Sequence, residues 1–347
     1  MSFQVGELYG FRLVHSDEDH EDSSTNVELQ AAYQSTPSDL IGTTATGQLT
    51  ANCRFKDDIC NGGGNRDMMR LPASDQTVGI LFSKEVGQKT GGFLPCGVCT
   101  VLQKKQNKLW AVCPHRLFAF GPNGVAGAHQ WLANRIFGLF DYESGDSIEV
   151  WSEVKLTEKS VSGAKFNYRL DYVLRRQGLN PSPVIIEIMT CSTSGGNKMA
   201  QTDMKSAFKN ATLIAKGLNT GDARSPGVNL RQVWARMASQ LIAKSEAAIA
   251  WGGRTVWIVQ DHLANYIRTQ TALPLDELHS PNWEPGEVNL VVSDLNGSAE
   301  LYSGPIRSQG ARRACWLEIL GAPHVPAVES LMAKLNATTP IAKIRIA

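Results

Sequence analysis

The sequence predicts an α/β fold: a central mixed β-sheet flanked by helices, with a small cysteine-rich metal-binding module ahead of it. Three observations carry that expectation. Strand-like segments at 148–156, 166–174 and 184–190 follow one another, then two helical patterns, then apolar strands at 255–260 and 288–295. Acidic residues sit inside the first three strands, as Glu153, Asp171 and Glu187, where a sheet core would ordinarily exclude them. Five of the seven cysteines fall between residues 53 and 113, before the first of those strands.

The first fifty residues form a polar N-terminal region. Residues 13–50 carry HSDEDHEDSSTN and a Thr/Gly-rich stretch, loop chemistry with little periodicity, and the acids from Asp17 to Asp22 read as solvated surface beside His15 and His20. The start of the chain lacks the basic and apolar stretches of a secretory leader, and no apolar run is long enough to cross a bilayer. A cytoplasmic location with no membrane partner is therefore expected, and thiols there stay reduced. At 42% hydrophobic and 19% charged, the 347 residues have ample material for one large domain or two ordinary ones.

Residues 51–120 form the thiol module. Six residues separate Cys53 from Cys60, two separate Cys96 from Cys99, and thirteen separate Cys99 from Cys113. In a reducing compartment that density points to metal rather than disulfides. Soft thiolates in fours suit tetrahedral Zn²⁺ or iron, and such sites order segments too short for a core of their own. Cys53, Cys60, Cys99 and Cys113 are the favoured ligands, with Cys96 as the alternate; Cys191 and Cys315 stand alone and read as small buried hydrophobes. The NGGGN at 61–65 lacks the Gly-Lys-Ser/Thr of a phosphate loop and reads as a turn beside a ligand.

Residues 121–347 form the core. AGAHQWLANRIFGLF, 126–140, has helical spacing. In 148–156, alternation places Ile148, Val150, Val154 and Leu156 on one face and Glu149, Trp151, Glu153 and Lys155 on the other. In 166–174, Tyr168, Leu170 and Tyr172 share a face opposite Asp171, and RRQGLNPSP has hairpin-loop chemistry. VIIEIMT, 184–190, reads as a strand buried on both faces. Met204, Ala207, Phe208, Ala211, Ile214 and Leu218 repeat at helical spacing, and a long helix over 230–250 turns Val233, Trp234, Met237 and Leu241 inward with Arg231, Arg236 and Lys244 outward.

Charge is unevenly distributed although the formal net is only +1. Residues 1–40 hold eight acids and one base, whereas 198–268 hold ten Lys and Arg against four acids. A basic stretch of that kind suits phosphate binding. Carboxylates on neighbouring strands are in turn a common way to hold a hard cation such as Mg²⁺, which can activate water and stabilise a departing oxygen. A carboxylate within VIIEIMT is costly to bury without such a partner.

These strings resemble the NotI-like type II restriction endonucleases, a branch of the PD-(D/E)xK nuclease superfamily. The matching pieces are CRF at 53–55, GVC at 97–99, VCPHR at 112–116, FNYRLDYVL at 166–174, IIEIMT at 185–190 and NLRQVWARMASQLIAKSEAAIAWGG at 229–253. They fall in one order across about two hundred residues, while 1–50 and 270–347 match nothing. The resemblance implies a PD-(D/E)xK restriction-endonuclease-like core and a structural iron held by Cys53, Cys60, Cys99 and Cys113, with Zn²⁺ the other metal four thiolates accept. It further implies catalytic Mg²⁺ on Asp171 and Glu187 with Glu153 as an auxiliary acid, and a homodimer cutting double-stranded DNA at a short palindrome within a restriction-modification system.

Met189 departs from that pattern, since the superfamily usually has lysine there and the NotI branch glutamine. Methionine can neither donate a proton nor bond well to a hard nucleophile. Lys198, just after Gly195-Gly196, is the expected substitute, and Arg231, Arg236 and Arg254 are the expected DNA contacts. The alternative expectation is a metal-stapled, sequence-specific DNA-binding protein that no longer cuts; a structural thiol protein with incidental acids is a third.

Overall fold

Two apolar groupings, one around the cysteines and one around the acid-bearing strands, seed two separate cores. The computed structural model describes residues 2–13, 41–43, 49–62, 70–81, 92–125, 127–137, 142, 145–159, 163, 165–177, 182–194, 196–218, 223–270, 288–295, 299–303 and 327–345. Most of the polar N-terminal region with His15 and His20, part of the triple glycine, the centre of the RRQGLNPSP loop and Cys315 lie outside these residues. One unit comprises Met1–Ala119 with Thr190–Leu230, the other Phe120–Met189 with Arg231–Ala347. This differs from the expected succession of three segments. Residues 190–230 leave the core region and complete the cysteine-bearing unit, because their helix supplies apolar side chains to it.

In the first unit, β1 (Phe3–Leu8) pairs antiparallel with β2 (Val98–Gln103), and β2 with β3 (Lys108–Ala111). Helix α1 (Met204–Ala215) starts where the Asp203 carboxylate accepts the N–H groups of Lys205 and Ser206. Its buried stripe of Met204, Ala207, Phe208, Ala211 and Ala215 follows the expected spacing at its first four positions, but the helix ends before Leu218, which is exposed rather than continuing the stripe. Phe208 meets Tyr9 edge-on with ring centroids 5.9 Å apart. Tyr9 in turn lies flat against Gly97, where a Cβ would stand 2.1 Å from the ring, and donates its hydroxyl to the Pro95 carbonyl at 2.6 Å. Only glycine fits at position 97 for that reason.

The second unit is built on a seven-stranded mixed sheet. Its strands are β4 (Ser147–Lys159), β5 (Lys165–Arg176), β6 (Val184–Met189), β7 (Arg254–Gln260), β8 (Val288–Ser293), β9 (Ala299–Ser303) and β10 (Ala342–Arg345). Their order is β9-β8-β7-β6-β5-β4-β10, with β6, β7 and β8 parallel and the other pairs antiparallel. Parallel β6 and β7 need a crossover, and α2 (Leu230–Ala250) provides it, laying Ala247 and Ala248 into the core with Ile185 of β6. Helix α3 (Val328–Asn336) adds Leu331 and Leu335 to the same core.

The alternation expected along the first two strands does not hold throughout. One core cluster takes Trp151, then Val154 and Leu156, from β4, and Tyr168 and Leu170, then Val173, from β5. The parity of inward residues therefore changes in both strands. Glu153 adopts φ +54° at the change, a left-handed conformation costly for a residue with a Cβ. Ladder partners run Ser152↔Tyr172 and then Val154↔Leu170, passing over Glu153 and Asp171. Trp151, expected on the same face as Glu149, Glu153 and Lys155, is buried with its indole N–H donated to the Thr338 carbonyl at 3.2 Å.

Candidate functional site

The three acids the sequence singles out fall on one line across adjacent strands. Glu153 and Asp171 are level in the register of β4 and β5, and Asp171 and Glu187 in that of β5 and β6. The β5–β6 ladder runs Leu174↔Val184, Val173↔Ile185 and Tyr172↔Ile186, and ends one step before Asp171 and Glu187. Side chains take over there. The Ile188 N–H donates to Asp171 Oδ2 at 3.0 Å, and the Asp171 N–H donates more weakly to Glu187 Oε1 at 3.4 Å. Each carboxylate thus satisfies an amide that the opened ladder leaves behind.

Burial separates the two acids. Asp171 is half-buried, whereas Glu187 is 1% exposed in an all-buried strand. Burial, then the neighbouring Asp171 charge, pushes the Glu187 carboxyl up to about 8, against the opposing pull of Lys244 and the Asp171 amide. Glu153 is held by the Arg169 guanidinium at the exposed end of this line.

Lys244 is the residue that sequence reasoning misplaced. Expected outward on α2, it is buried, with Nζ 2.5 Å from Glu187 Oε2. The correction has a simple cause: Val233, Met237, Leu241, Lys244 and Ala248 recur at intervals of four and three, so Lys244 continues the apolar stripe. A lysine on the inward stripe of an amphipathic helix was the available signal. Ser245 next to it bonds Thr255 of β7 at 3.0 Å, fixing this turn of α2 on the sheet. Met189 is buried at the end of β6. Lys198 lies in an exposed turn of the first unit. Arg231 and Arg236 are exposed on the early turns of α2, and Arg254 is partly buried at the start of β7.

In the first unit Cys53, Cys60, Cys96, Cys99 and Cys113 are buried, reduced and part of one core. Four of them form an electrostatic set. Cys99 senses Cys113, Cys60 and Cys53, and Cys113 senses Cys60 and Cys53. Burial raises the Cys53, Cys99 and Cys113 thiols above the ordinary range, Cys99 and Cys113 being the more completely enclosed.

Turns in the backbone oppose that shift at Cys53 and Cys113, and a turn amide also reaches the sulfur of Cys60. The amides of Phe55 and Lys56 favour the thiolate of Cys53. Those of His115 and Arg116 favour that of Cys113, without a full capping hydrogen bond. Gly62, in the left-handed region at φ +95°, donates its N–H to Cys60 Sγ at 3.4 Å. Cys96 is different: burial pushes it up to about 12, and its charged surroundings are Lys205, Asp75 and Lys209 with only Cys60 among the thiols. Cys191, also raised to about 12, is buried in the same core.

As placed, no set of three or more His, Cys, Asp or Glu among the described residues could hold a metal ion directly. The thiols lie within electrostatic reach but would have to draw together to share one. No helix among the described residues is long and apolar enough to cross a membrane. No known family model matches the chain, and no curated protein shows significant sequence similarity to it.

Proposed function

We propose that the chain is a Mg²⁺-dependent endonuclease of double-stranded DNA, of the PD-(D/E)xK type, with Asp171 and Glu187 at its centre. The observation that carries this reading is the approach of two carboxylates from neighbouring strands where their ladder opens. A buried Glu–Lys pair alone would be explained as structural. The added Asp171 charge raises Glu187 further, a repulsion that structure does not require and a divalent cation would relieve.

The succession β4-β5-β6-α2-β7 also supports this reading, since it places the acids on the second and third strands of a mixed sheet with a helical crossover behind them. Asp171 and Glu187 would hold the cation, whose chemistry is to offset phosphate charge and render a bound water more acidic. Glu153, kept by Arg169 in a strained conformation, would serve as the auxiliary acid at the outer end of the line. Arg231, Arg236 and Arg254 would meet DNA phosphates, and a homodimer would place one such site on each strand of a palindrome.

The thiols fit a structural iron or zinc by donor chemistry: four buried sulfurs, mutually coupled, with turn amides favouring the thiolate at Cys53, Cys60 and Cys113. The Gly62 amide at Cys60, and the position of Cys60 among the influences on both Cys99 and Cys113, support Cys60 as the fourth ligand. A second reading is favoured by Lys244 and Met189: a lysine already occupies Glu187, and no donor stands at 189, as in a DNA-binding protein that has lost cleavage. Supercoiled DNA of known sequence incubated with the full chain and Mg²⁺ decides between them. Discrete fragments support the nuclease; retarded but intact DNA supports the second reading.

A further inference from the structure

Met199 is 97% exposed, further out than any other large apolar side chain among the described residues, and Lys198, Ala200 and Gln201 beside it are exposed as well. A lone apolar side chain on a slack surface turn needs no explanation. This turn is not slack. The Asn197 carboxamide oxygen accepts the N–H groups of Met199 at 2.8 Å and Ala200 at 3.2 Å. Thr202 closes the loop: its hydroxyl accepts the Asn197 N–H and its own N–H returns to the Asn197 carbonyl, both at 3.0 Å. The Gln201 N–H reaches the Lys198 carbonyl at 3.2 Å, while Gln201 itself holds φ +53°, a left-handed conformation costly for a residue with a Cβ. Both ends are braced. Thr193 and Ser194 pair with Val228 and Gly227, Gly196 lies where a Cβ would stand 2.8 Å from Pro226, and Asp203 caps α1.

Order without packing is the informative combination: hydrogen bonds and a strained residue hold in place a tip that covers no core. Charge adds a direction. Residues 190–209 carry Lys198, Lys205 and Lys209 against one acid, Asp203, whose carboxylate accepts from the Lys205 and Ser206 amides and the Ser206 hydroxyl. Lys209 is paired with Asp75, which leaves Lys198 and Lys205, both exposed, as the surplus. We propose that the 197–202 turn is a wedge that inserts Met199 between stacked base steps of DNA, with Lys198 and Lys205 on the flanking phosphates. The wedge rests on the DNA-binding part of the reading above and not on cleavage. An unbranched, polarisable thioether enters a partly opened step without a fixed shape to match. A turn already ordered has little entropy left to lose on binding, and lysines meet the backbone whatever the sequence.

The test compares full-length wild type, Met199→Ala and Lys198→Ala by gel shift on plasmid-derived duplex fragments over a range of salt, without divalent ions. Met199→Ala should melt where wild type does, because the side chain supports no core. It is expected to bind about tenfold more weakly with an unchanged slope of log affinity against log salt, whereas Lys198→Ala should reduce that slope by about one. A direct readout comes from the full chain carrying carbon-13 methyl methionine, with the Met199 signal assigned by its loss in Met199→Ala. On addition of the same fragments that signal should move upfield, as a methyl group between base rings does. Wild-type affinity in Met199→Ala, or a Met199 signal that stays in place while DNA is bound, overturns the wedge and leaves the DNA-binding reading standing. Fragments that wild type does not retard at any salt sink that reading itself, and the wedge with it.

Discussion

The thiol cluster and the carboxylate cluster meet burial with opposite consequences. Both sets of acids are pushed toward their protonated forms, Cys99 and Cys113 strongly and Glu187 to about 8. A protonated thiol is a small hydrophobe at home in a core, so Cys96 and Cys191 can be buried with no further partner in mind. A carboxyl group has no such resting state. Glu187 is accompanied by a lysine, a backbone amide and a second carboxylate, and the ladder beside it is open. Buried cysteines are thus weak indicators of a site unless their sulfurs are coupled, whereas a buried acid facing another acid is a strong one.

The largest expected effect lies on the carboxylate side. Asp171→Asn keeps the shape of the side chain and removes the charge that faces Glu187. Cleavage should fall by about a thousandfold or more, while the gel-shift affinity for DNA stays near that of wild type. Normal cleavage by this variant would move the catalytic centre elsewhere in the chain. Thermal stability near pH 8 should rise in the same protein, because relief of repulsion lets the Glu187 carboxyl return toward its ordinary range.

The thiol side should respond in stability rather than in the chemical step. Cys113→Ser is expected to lower the melting temperature and the iron or zinc content together, as for an architectural metal. Cys96→Ser, outside the coupled set, should retain the metal and lose only what a buried thiol contributes to packing. Equal metal content in both variants and wild type, measured by elemental analysis, would show that Cys113 is no ligand. Loss of metal from Cys96→Ser but not from a Cys60→Ser protein would exchange the two assignments.

Much of this was legible in the chain. The strands at β4 to β8, the helix at 230–250 and the positions of the acids within strands follow from periodicity and from the rarity of carboxylates in apolar runs. Adjacency of Asp171 and Glu187 follows from the hairpin between their strands. What periodicity could not supply is the change of face at Glu153, since a single left-handed residue reverses inward and outward without altering the pattern of residue types. Assignment of 190–230 to the first unit was also hidden, because an amphipathic helix does not name the core it covers. Lys244 was legible in principle, since its place on the stripe of Val233, Met237 and Leu241 is visible in the spacing despite its charge.

A smaller effect follows from the sign of the Glu187 shift. Its carboxyl protonates more readily in the folded state than in the unfolded chain, where the ordinary value of 4.5 applies. Both states are protonated at low pH and the group is then neutral in its effect. As pH rises past the unfolded value, the unfolded chain releases its proton first, and the native state is progressively disfavoured until it too ionises near pH 8. In the presence of a chelator, the melting temperature should therefore decline between about pH 5 and 8, and Glu187→Gln should flatten that decline. A divalent ion should flatten it as well, by supplying the positive charge that the two acids share. A profile of equal slope in wild type and Glu187→Gln would mean that Lys244 alone already settles the charge of Glu187.

The smallest effect tests the basic stretch. Arg231 and Arg236 are exposed and five positions apart on α2, so each can meet a phosphate without supporting the core. Replacing one of them by alanine should weaken DNA binding uniformly across sequences and reduce the slope of log affinity against log salt by about one. Val233, Met237 and Leu241 hold the helix in place throughout, so stability should be unchanged. Cleavage per bound complex should be unchanged as well, because neither arginine touches Glu187. An altered sequence preference with an unchanged salt slope would mean that the residue reads a base edge instead, and that this end of α2 enters a groove rather than tracking the backbone.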